Sequence, residues 1–334
     1  MDPLIAGLPK AELHLHLEGT VRPEILWQLA ERYQSPLVAA GREALEGLYS
    51  TSDFAGFLQA FTTVCQHLRS PEDYELVTYE ALARLAGQNV RYAEITVSAG
   101  VVLWKGEDLS SCFDGMEAGA RRAREEFGIR VAWIFDAVRQ FGPEAALAVV
   151  RQAAPLQDRG VVAFGIGGDE RAAPAEFFRD VFGYARSEGL RVTVHAGETD
   201  GPESVWNSLD LLGAERIGHG LTAAEDSGLV DYLAKKQIPV EICLTSNLRT
   251  GCLAELSEHP LRSYFDRGVL LSLNTDDPAL FGTDLNREYS LARSVFGFTN
   301  EELTLLAQSS FRTSFLTLAE QDSYLAAFPS LESR

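Results

Sequence analysis

Six histidines occur in the chain, and four of them stand where runs of strand-forming residues end. His14 and His16 lie in Ala11-Glu-Leu-His-Leu-His-Leu-Glu18. Alternate side chains of an extended strand share a face, so Leu13, Leu15 and Leu17 turn one way and both imidazoles the other. Two buried imidazoles are poor core filler, because their ring nitrogens need partners away from water; a metal ion satisfies both. A lone His-x-His is a weak signal, and other groups join it. His195 closes a second run and leads into His195-Ala-Gly-Glu198. His219 ends Arg216-Ile-Gly-His-Gly220, and Asp276 and Asp277 end Asn274-Thr-Asp-Asp-Pro278. Taken singly, either aspartate could cap the next helix and His219 could be a satisfied surface residue. Three imidazoles with one carboxylate suit zinc, leaving a position for water, while iron and manganese accept similar donors. A bound divalent ion lowers the pKa of water from about 15.7 to about 7. His219 and Glu198 would then serve as base and acid, each worth about 10²–10⁴ in rate. These residues describe metal-assisted hydrolysis.

What must position them is a set of eight strand-like runs: 11–17, 91–98, 130–137, 161–168, 191–197, 216–220, 239–247 and 269–277. Most segments between them show helical spacing, as in Ala145, Leu147, Val150 and Ala153. Strands alternating with helices argue for a parallel sheet. Eight such units predict an α/β fold of the (β/α)8 TIM-barrel type, a single domain over 1–334. An open doubly wound sheet is the competing architecture, but no G-x-G-x-x-G follows an early strand. In a barrel the singled-out residues share the C-terminal rim, where barrel enzymes hold their sites. The stretch 20–90 is longer than one loop and one helix require, so a helical insertion is expected between the first two strands. Within it, 53–64 places Phe54, Phe57, Leu58 and Phe61 on one apolar face. That face either packs the insertion or covers the barrel mouth, with Phe57 and Phe61 lining a substrate pocket; both can hold together.

Composition narrows the partners. Of 334 residues 46% are hydrophobic and 23% charged, and the net charge of −19 opposes nucleic acid, with no basic stripe to offset it. No run approaches the roughly 20 apolar residues of a membrane helix. The N-terminus has no signal-peptide pattern. Cys65, Cys112, Cys243 and Cys252 form no Cys-x-x-Cys pair, so free thiols and a cytoplasmic location are expected. The run 161–170 contains no lysine to bridge a second metal, which favours a mononuclear site.

The motifs Ala11-Glu-Leu-His-Leu-His-Leu-Glu-Gly19, His195-Ala-Gly-Glu198, Arg216-Ile-Gly-His-Gly220, Thr245-Ser-Asn247 and Ser272-Leu-Asn-Thr-Asp-Asp-Pro278 resemble, in order, those of the adenosine deaminase family. That family belongs to the amidohydrolase superfamily of metal-dependent (β/α)8 barrels. The resemblance implies one zinc per chain on His14, His16, His195 and Asp276. It implies Glu198 as proton donor to N1 of a 6-aminopurine and His219 as the group that orients and deprotonates the attacking water. Asp277 would hold the attacking oxygen or accept from the purine ring. Gly168 matches a glycine whose backbone faces the purine, where a missing side chain permits close approach. Ammonia leaves and a 6-oxopurine remains. The Pro-Cys-x-x-Cys signature of cysteine-ligated zinc deaminases is absent.

Three departures concern what hangs from the purine. Glu18 stands where adenosine-specific members carry an Asp that touches the ribose 5′-hydroxyl, and its longer arm crowds that contact. The second strand reads Glu94-Ile-Thr-Val-Ser-Ala-Gly100, without the Ser-Pro of adenosine-type members or the Phe-Asp-Pro-like element of adenine-type ones. Gly165 replaces a common Asp. Together they resemble a third branch, the 6-aminodeoxyfutalosine deaminases of menaquinone biosynthesis, whose substrate bears a carboxyphenyl group in place of the 5′-hydroxyl. On that resemblance Trp104, Arg69 or Arg139 would meet the aromatic acid. Adenosine and adenine are the alternative substrates, and an inert nucleoside-binding protein is the non-enzymatic one.

Overall fold

The computed structural model describes residues 2–50 and 53–328. The ends of the expected 1–334 unit and residues 51–52 of its insertion lie outside them. Eight parallel strands follow one another in sheet order: β1 (Lys10–His16), β2 (Val90–Val97), β3 (Arg130–Val138), β4 (Val161–Gly167), β5 (Arg191–Ala196), β6 (Arg216–His219), β7 (Val240–Ile242) and β8 (Leu271–Leu273). The ring is nearly closed by a parallel bridge between Leu15 and Asp276. At this seam the His16 amide donates to Asp276 O at 2.9 Å and the Asp276 amide to His14 O at 3.0 Å. The architecture is the TIM barrel expected from the alternation of strands and helices.

Two strands are much shorter than the sequence reading, the others agreeing within about a residue at each end. The run 239–247 stops as a strand at Ile242, and Thr245–Asn247 fall in the helix Leu244–Arg249. Short apolar runs do not distinguish strand from helix by pattern. Here the Glu288 carboxylate accepts from the Thr245 amide at 3.1 Å and turns the chain into a helix. The run 269–277 is regular only over Leu271–Leu273, because the Asn274 side chain takes the place of a backbone partner. Its Oδ1 accepts from the amides of Leu13 and His14 at 2.8 and 3.1 Å. In the helix Gly142–Ala153 the buried stripe is Ala146, Val149, Val150 and Ala153, slightly rotated from the spacing read in the sequence.

Between β1 and β2 the described residues form five α-helices, the fourth being Phe54–His67, started by Asp53 accepting from the Gly56 amide at 2.7 Å. This helix does both things its pattern allowed. Ala60 and Val64 are buried in the insertion's core, while Phe54, Phe57, Leu58 and Phe61 line a cavity at the barrel mouth. No helix among the described residues is long and apolar enough to cross a membrane.

Candidate active site

Alternation along β1 sends Leu13, Leu15 and Leu17 into the apolar core and the two imidazoles into the barrel. His14 faces Gly218 of β6 so closely that a Cβ there would stand 2.8 Å from its Cε1. His195 arrives at the end of β5, and Asp276 just past β8. The Nε2 atoms of His14 and His16 each lie 3.3 Å from Asp276 Oδ1, and those of His16 and His195 are 3.2 Å apart. One ligand atom from each of the four residues falls within 4.8 Å of the others. His14 Nε2 is buried without a hydrogen-bond partner. Such an orphaned donor set, three imidazoles facing one carboxylate, fits a divalent ion.

Neighbouring groups turn the lone pairs inward. His14 Nδ1 pairs with Glu241 Oε2 at 2.7 Å, and His195 Nδ1 with the Ile166 carbonyl at 3.2 Å. Each contact suits a protonated Nδ1 and leaves Nε2 free to coordinate. Behind Glu241 stands a buried guanidinium: Arg216 Nε lies 2.6 Å from Glu241 Oε1, and its Nη1 lies 2.5 Å from Glu94 Oε2. Burial works to raise the Glu241 carboxyl, but Arg216 and His14 outweigh it and hold it below the ordinary range. Asp276 Oδ2 accepts from Ser246 Oγ at 2.7 Å. Asp276 and His219 both carry φ of +62°, a left-handed backbone that costs ordinary residues energy and collects at functional sites.

Around this centre lie the other singled-out groups. His219 Nε2 is 3.7 Å from Glu198 Oε2, and its Nδ1 faces the Asn247 amide at 3.1 Å. Burial, reinforced by the charges of Asp276 and Glu170, pushes the Glu198 carboxyl up to about 8. Asp277 precedes the helix Pro278–Phe281 but makes no cap bond with its side chain, and its Oδ1 is buried without a partner. A Cβ at Gly19 would stand 2.0 Å from that oxygen, so only glycine fits there. Burial and the charges of Asp276 and Glu18 push the Asp277 carboxyl well above the usual range.

Three of the four donor residues, His16, His195 and Asp276, open into a cavity of about 310 Å³. His16, His195, Glu198, His219, Asp276 and Asp277 form its floor, and Phe54, Phe57, Phe61 and Phe141 its apolar walls. Gly167 and Gly168 line it too, the latter at φ +96°. Four residues singled out from the sequence are placed elsewhere. Glu18 is buried with Oε1 accepting from the Ser98 amide at 3.0 Å, so the longer arm reaches the residue that follows β2 and does not line the cavity. Arg139 is buried and spends its guanidinium on the carbonyls of Ala173 (3.1 Å) and His195 (2.8 Å). Arg69 is exposed and lies over the Tyr33 ring at 4.6 Å. Trp104 stands 71% exposed outside the cavity, stacked on the Phe141 ring at 5.7 Å. No Lys or Arg lines the cavity among the described residues.

Several working residues were not singled out. Glu170 accepts from the amides of Gly197, Glu198 and Thr199 and from Ser204 Oγ. Its motif, Gly165-Ile-Gly-Gly-Asp-Glu170, drew attention only to Gly165 and Gly168. Glu241, Arg216 and Glu94 left a fainter sign, charged residues inside otherwise apolar strands. Asp136, on the inward register of β3, lines the cavity.

A family model described as adenosine deaminase matches residues 9–327. The chain is 42% identical to an aminodeoxyfutalosine deaminase of Streptomyces avermitilis, covering 98% of this chain and 94% of that one. It is similar to the solved adenine deaminase of Arthrobacter aurescens (TM-score 0.90, 31% identity, 96% and 98% coverage). An amidohydrolase from Burkholderia ambifaria, solved with bound zinc, shows a TM-score of 0.88 at 28% identity, over 97% and 90% of the two chains.

Proposed function

The chain belongs to the adenosine deaminase family, and from that premise we propose that it is a zinc-dependent deaminase of 6-aminodeoxyfutalosine. It would replace the purine 6-amino group by oxygen and release ammonia. One observation carries the reaction class: the three Nε2 atoms and Asp276 Oδ1 converge on the cavity floor beside Glu198 and His219. One zinc per chain is the metal we assign, from the donor set and from the zinc in the Burkholderia ambifaria relative.

Bound there, the ion supplies a water of lowered pKa that can act as a nucleophile at neutral pH. The chain's residues do the rest. Glu198, held neutral by burial, gives its proton to purine N1 and makes C6 electrophilic. His219 Nε2, oriented through Asn247, takes the proton of the attacking water and passes it to the departing ammonia. Asp277 fixes the attacking oxygen or the ring, and the bare backbone at Gly168 lets the purine lie against β4. As the C6=O bond forms, the remaining proton of the added water returns to Glu198, so water and a 6-aminopurine go in and a 6-oxopurine and ammonia come out.

The substrate tail is argued from the walls. Glu18 accepts from the Ser98 amide through Oε1, its Oε2 is buried without a partner, and it does not line the cavity where a 5′-hydroxyl would sit. Phe57 and Phe61, with Phe54 and Phe141, offer an aromatic group an apolar surface. With no cation lining the cavity, the carboxylate of a carboxyphenyl tail would point to solvent at the mouth. Similarity to the Streptomyces avermitilis enzyme supports this substrate, and similarity to the Arthrobacter aurescens enzyme supports adenine as the second reading. Comparing kcat/KM on 6-aminodeoxyfutalosine, adenosine and adenine tests the choice. A tenfold preference for either of the last two overturns the tail assignment and leaves the deaminase intact. Loss of no amino group from any of the three, with the metal site loaded, overturns the reaction.

A further inference from the structure

We infer that Asp136 is a specificity-determining residue that touches the substrate, its carboxyl accepting a hydrogen bond from a hydroxyl of the sugar on purine N9. The inference rests on the 6-aminopurine reading above. Asp136 lies on the inward face of β3, 4% exposed, and lines the cavity. Its Oδ1 is buried without a hydrogen-bond partner. The nearby cation forms no ion pair with it: the two Nη atoms of Arg139 donate to the carbonyls of Ala173 and His195, and its buried Nε has no partner. A carboxyl left in this condition is costly unless a ligand completes its hydrogen bonding.

The neighbouring strand is shaped around that carboxyl. Asp136 pairs in register with Gly165 of β4. A Cβ at Gly165 would stand 2.9 Å from Asp136 Oδ1, and a Cβ at Gly167 would stand 3.0 Å from Oδ2. Two glycines thus leave a flat bed on which the carboxyl lies, facing the cavity beside Gly168.

Chemistry selects the donor. The ring nitrogens N1, N3 and N7 of a 6-aminopurine accept hydrogen bonds, and the 6-amino group is committed to the metal end of the cavity. Donors remaining are the N9 hydrogen of a free base and the hydroxyls of an N9-linked sugar. Val138, Phe141 and Phe61 line the same cavity of about 310 Å³ as Asp136, space for a substituent on N9, so the hydroxyl is the donor. Sites built to bond a substrate hydroxyl discriminate sharply against analogues that lack it.

The test compares wild type with Asp136→Leu, which keeps the branched shape and removes the acceptor, on adenosine, 2′-deoxyadenosine, 3′-deoxyadenosine and 9-methyladenine, with zinc content and thermal midpoint measured alongside. Wild type should favour adenosine over one deoxy analogue by tenfold or more. In Asp136→Leu, kcat/KM on adenosine should fall by about tenfold to a hundredfold, while that deoxy analogue and 9-methyladenine change less than threefold. Zinc content should stay the same, and the thermal midpoint should not drop, since a residue kept for binding contributes little to the unliganded fold. Equal losses on adenosine and 9-methyladenine would overturn the sugar contact, as would no loss on either. Should the variant fail to fold, wild type alone decides: equal rates on adenosine and both deoxy analogues refute the hydroxyl bond. A wild type inactive on every 6-aminopurine removes the functional reading and this contact with it, whereas activity without hydroxyl discrimination removes the contact alone.

Discussion

The Glu170 carboxylate holds the backbone that carries Glu198. It accepts from the amides of Gly197, Glu198 and Thr199 at 2.8, 2.8 and 2.9 Å, and from Ser204 Oγ at 2.5 Å. From the other side Arg139 grips the His195 carbonyl. The segment that bears both a metal ligand and the proposed proton donor is therefore fixed by two buried charges of opposite sign.

Replacing Glu170 by Gln keeps the volume but points an amide at backbone donors that need an acceptor. Misplacing Glu198 by a fraction of an ångström should lower kcat by about 10²-fold. Zinc content should hold, because the ligand atoms have supports of their own. Glu170 also adds negative charge that raises the Glu198 carboxyl, so its loss should move the alkaline limb of the rate profile to lower pH. Unchanged kcat and an unmoved limb would show that the clamp has no bearing on catalysis.

Glu198 itself must carry a proton to act as an acid. Its pKa, raised from 4.5 to about 8 by burial and by Asp276 and Glu170, keeps it protonated at pH 7. Above that value kcat/KM should fall tenfold per pH unit. Glu198→Gln should lose about 10²–10⁴ in kcat and lose the alkaline limb, with metal content unchanged. Deamination retained at wild-type rates would assign the proton to another group.

Glu241 stands outside the donor set of His14, His16, His195 and Asp276 and would act on a bound ion through its 2.7 Å contact with His14 Nδ1. Glu241→Gln removes the charge that orients this imidazole and leaves Arg216 facing a neutral amide. Zinc affinity should weaken about 10–100-fold, read by competition with a chelator. At saturating zinc most activity should return, which separates lost affinity from lost chemistry. An affinity equal to wild type would make the His14–Glu241–Arg216 chain a packing feature only.

Much of this was legible in the residues. Period-two alternation in β1 announced that His14 and His16 share a face, because leucines and histidines could not both enter the core. Strand ends announced the rim, because a parallel barrel gathers them on one side. Less legible were groups whose role depends on partners far along the chain. Glu18 and Arg139 look like substrate contacts when only their types and approximate positions are known. In the fold one is turned to the Ser98 amide and the other to two carbonyls, choices made by packing across strands. Ser246 and Asn247 were expected in a strand, yet a helical turn after Ile242 brings them to Asp276 and His219. Local pattern could not supply that turn, because its anchor, Glu288, lies beyond β8.

His259 offers a stability test outside the active site. It is buried, and its Nδ1 accepts from the Leu261 amide at 3.1 Å, so the fold holds the ring neutral. Burial, with a small contribution from His219, lowers its pKa from 6.5 to about 3. The unfolded chain then binds the extra proton first as pH falls. Stability from this group is complete above about pH 6.5 and declines by up to about 1.4 kcal/mol per pH unit from there toward pH 3. His259→Asn can still accept from Leu261 through its side-chain oxygen but does not titrate. Denaturant midpoints for zinc-loaded protein between pH 7 and pH 5 should therefore fall less steeply for the variant, by close to one proton. Parallel slopes for the two proteins would mean that water or a rearranged neighbour accommodates the protonated ring.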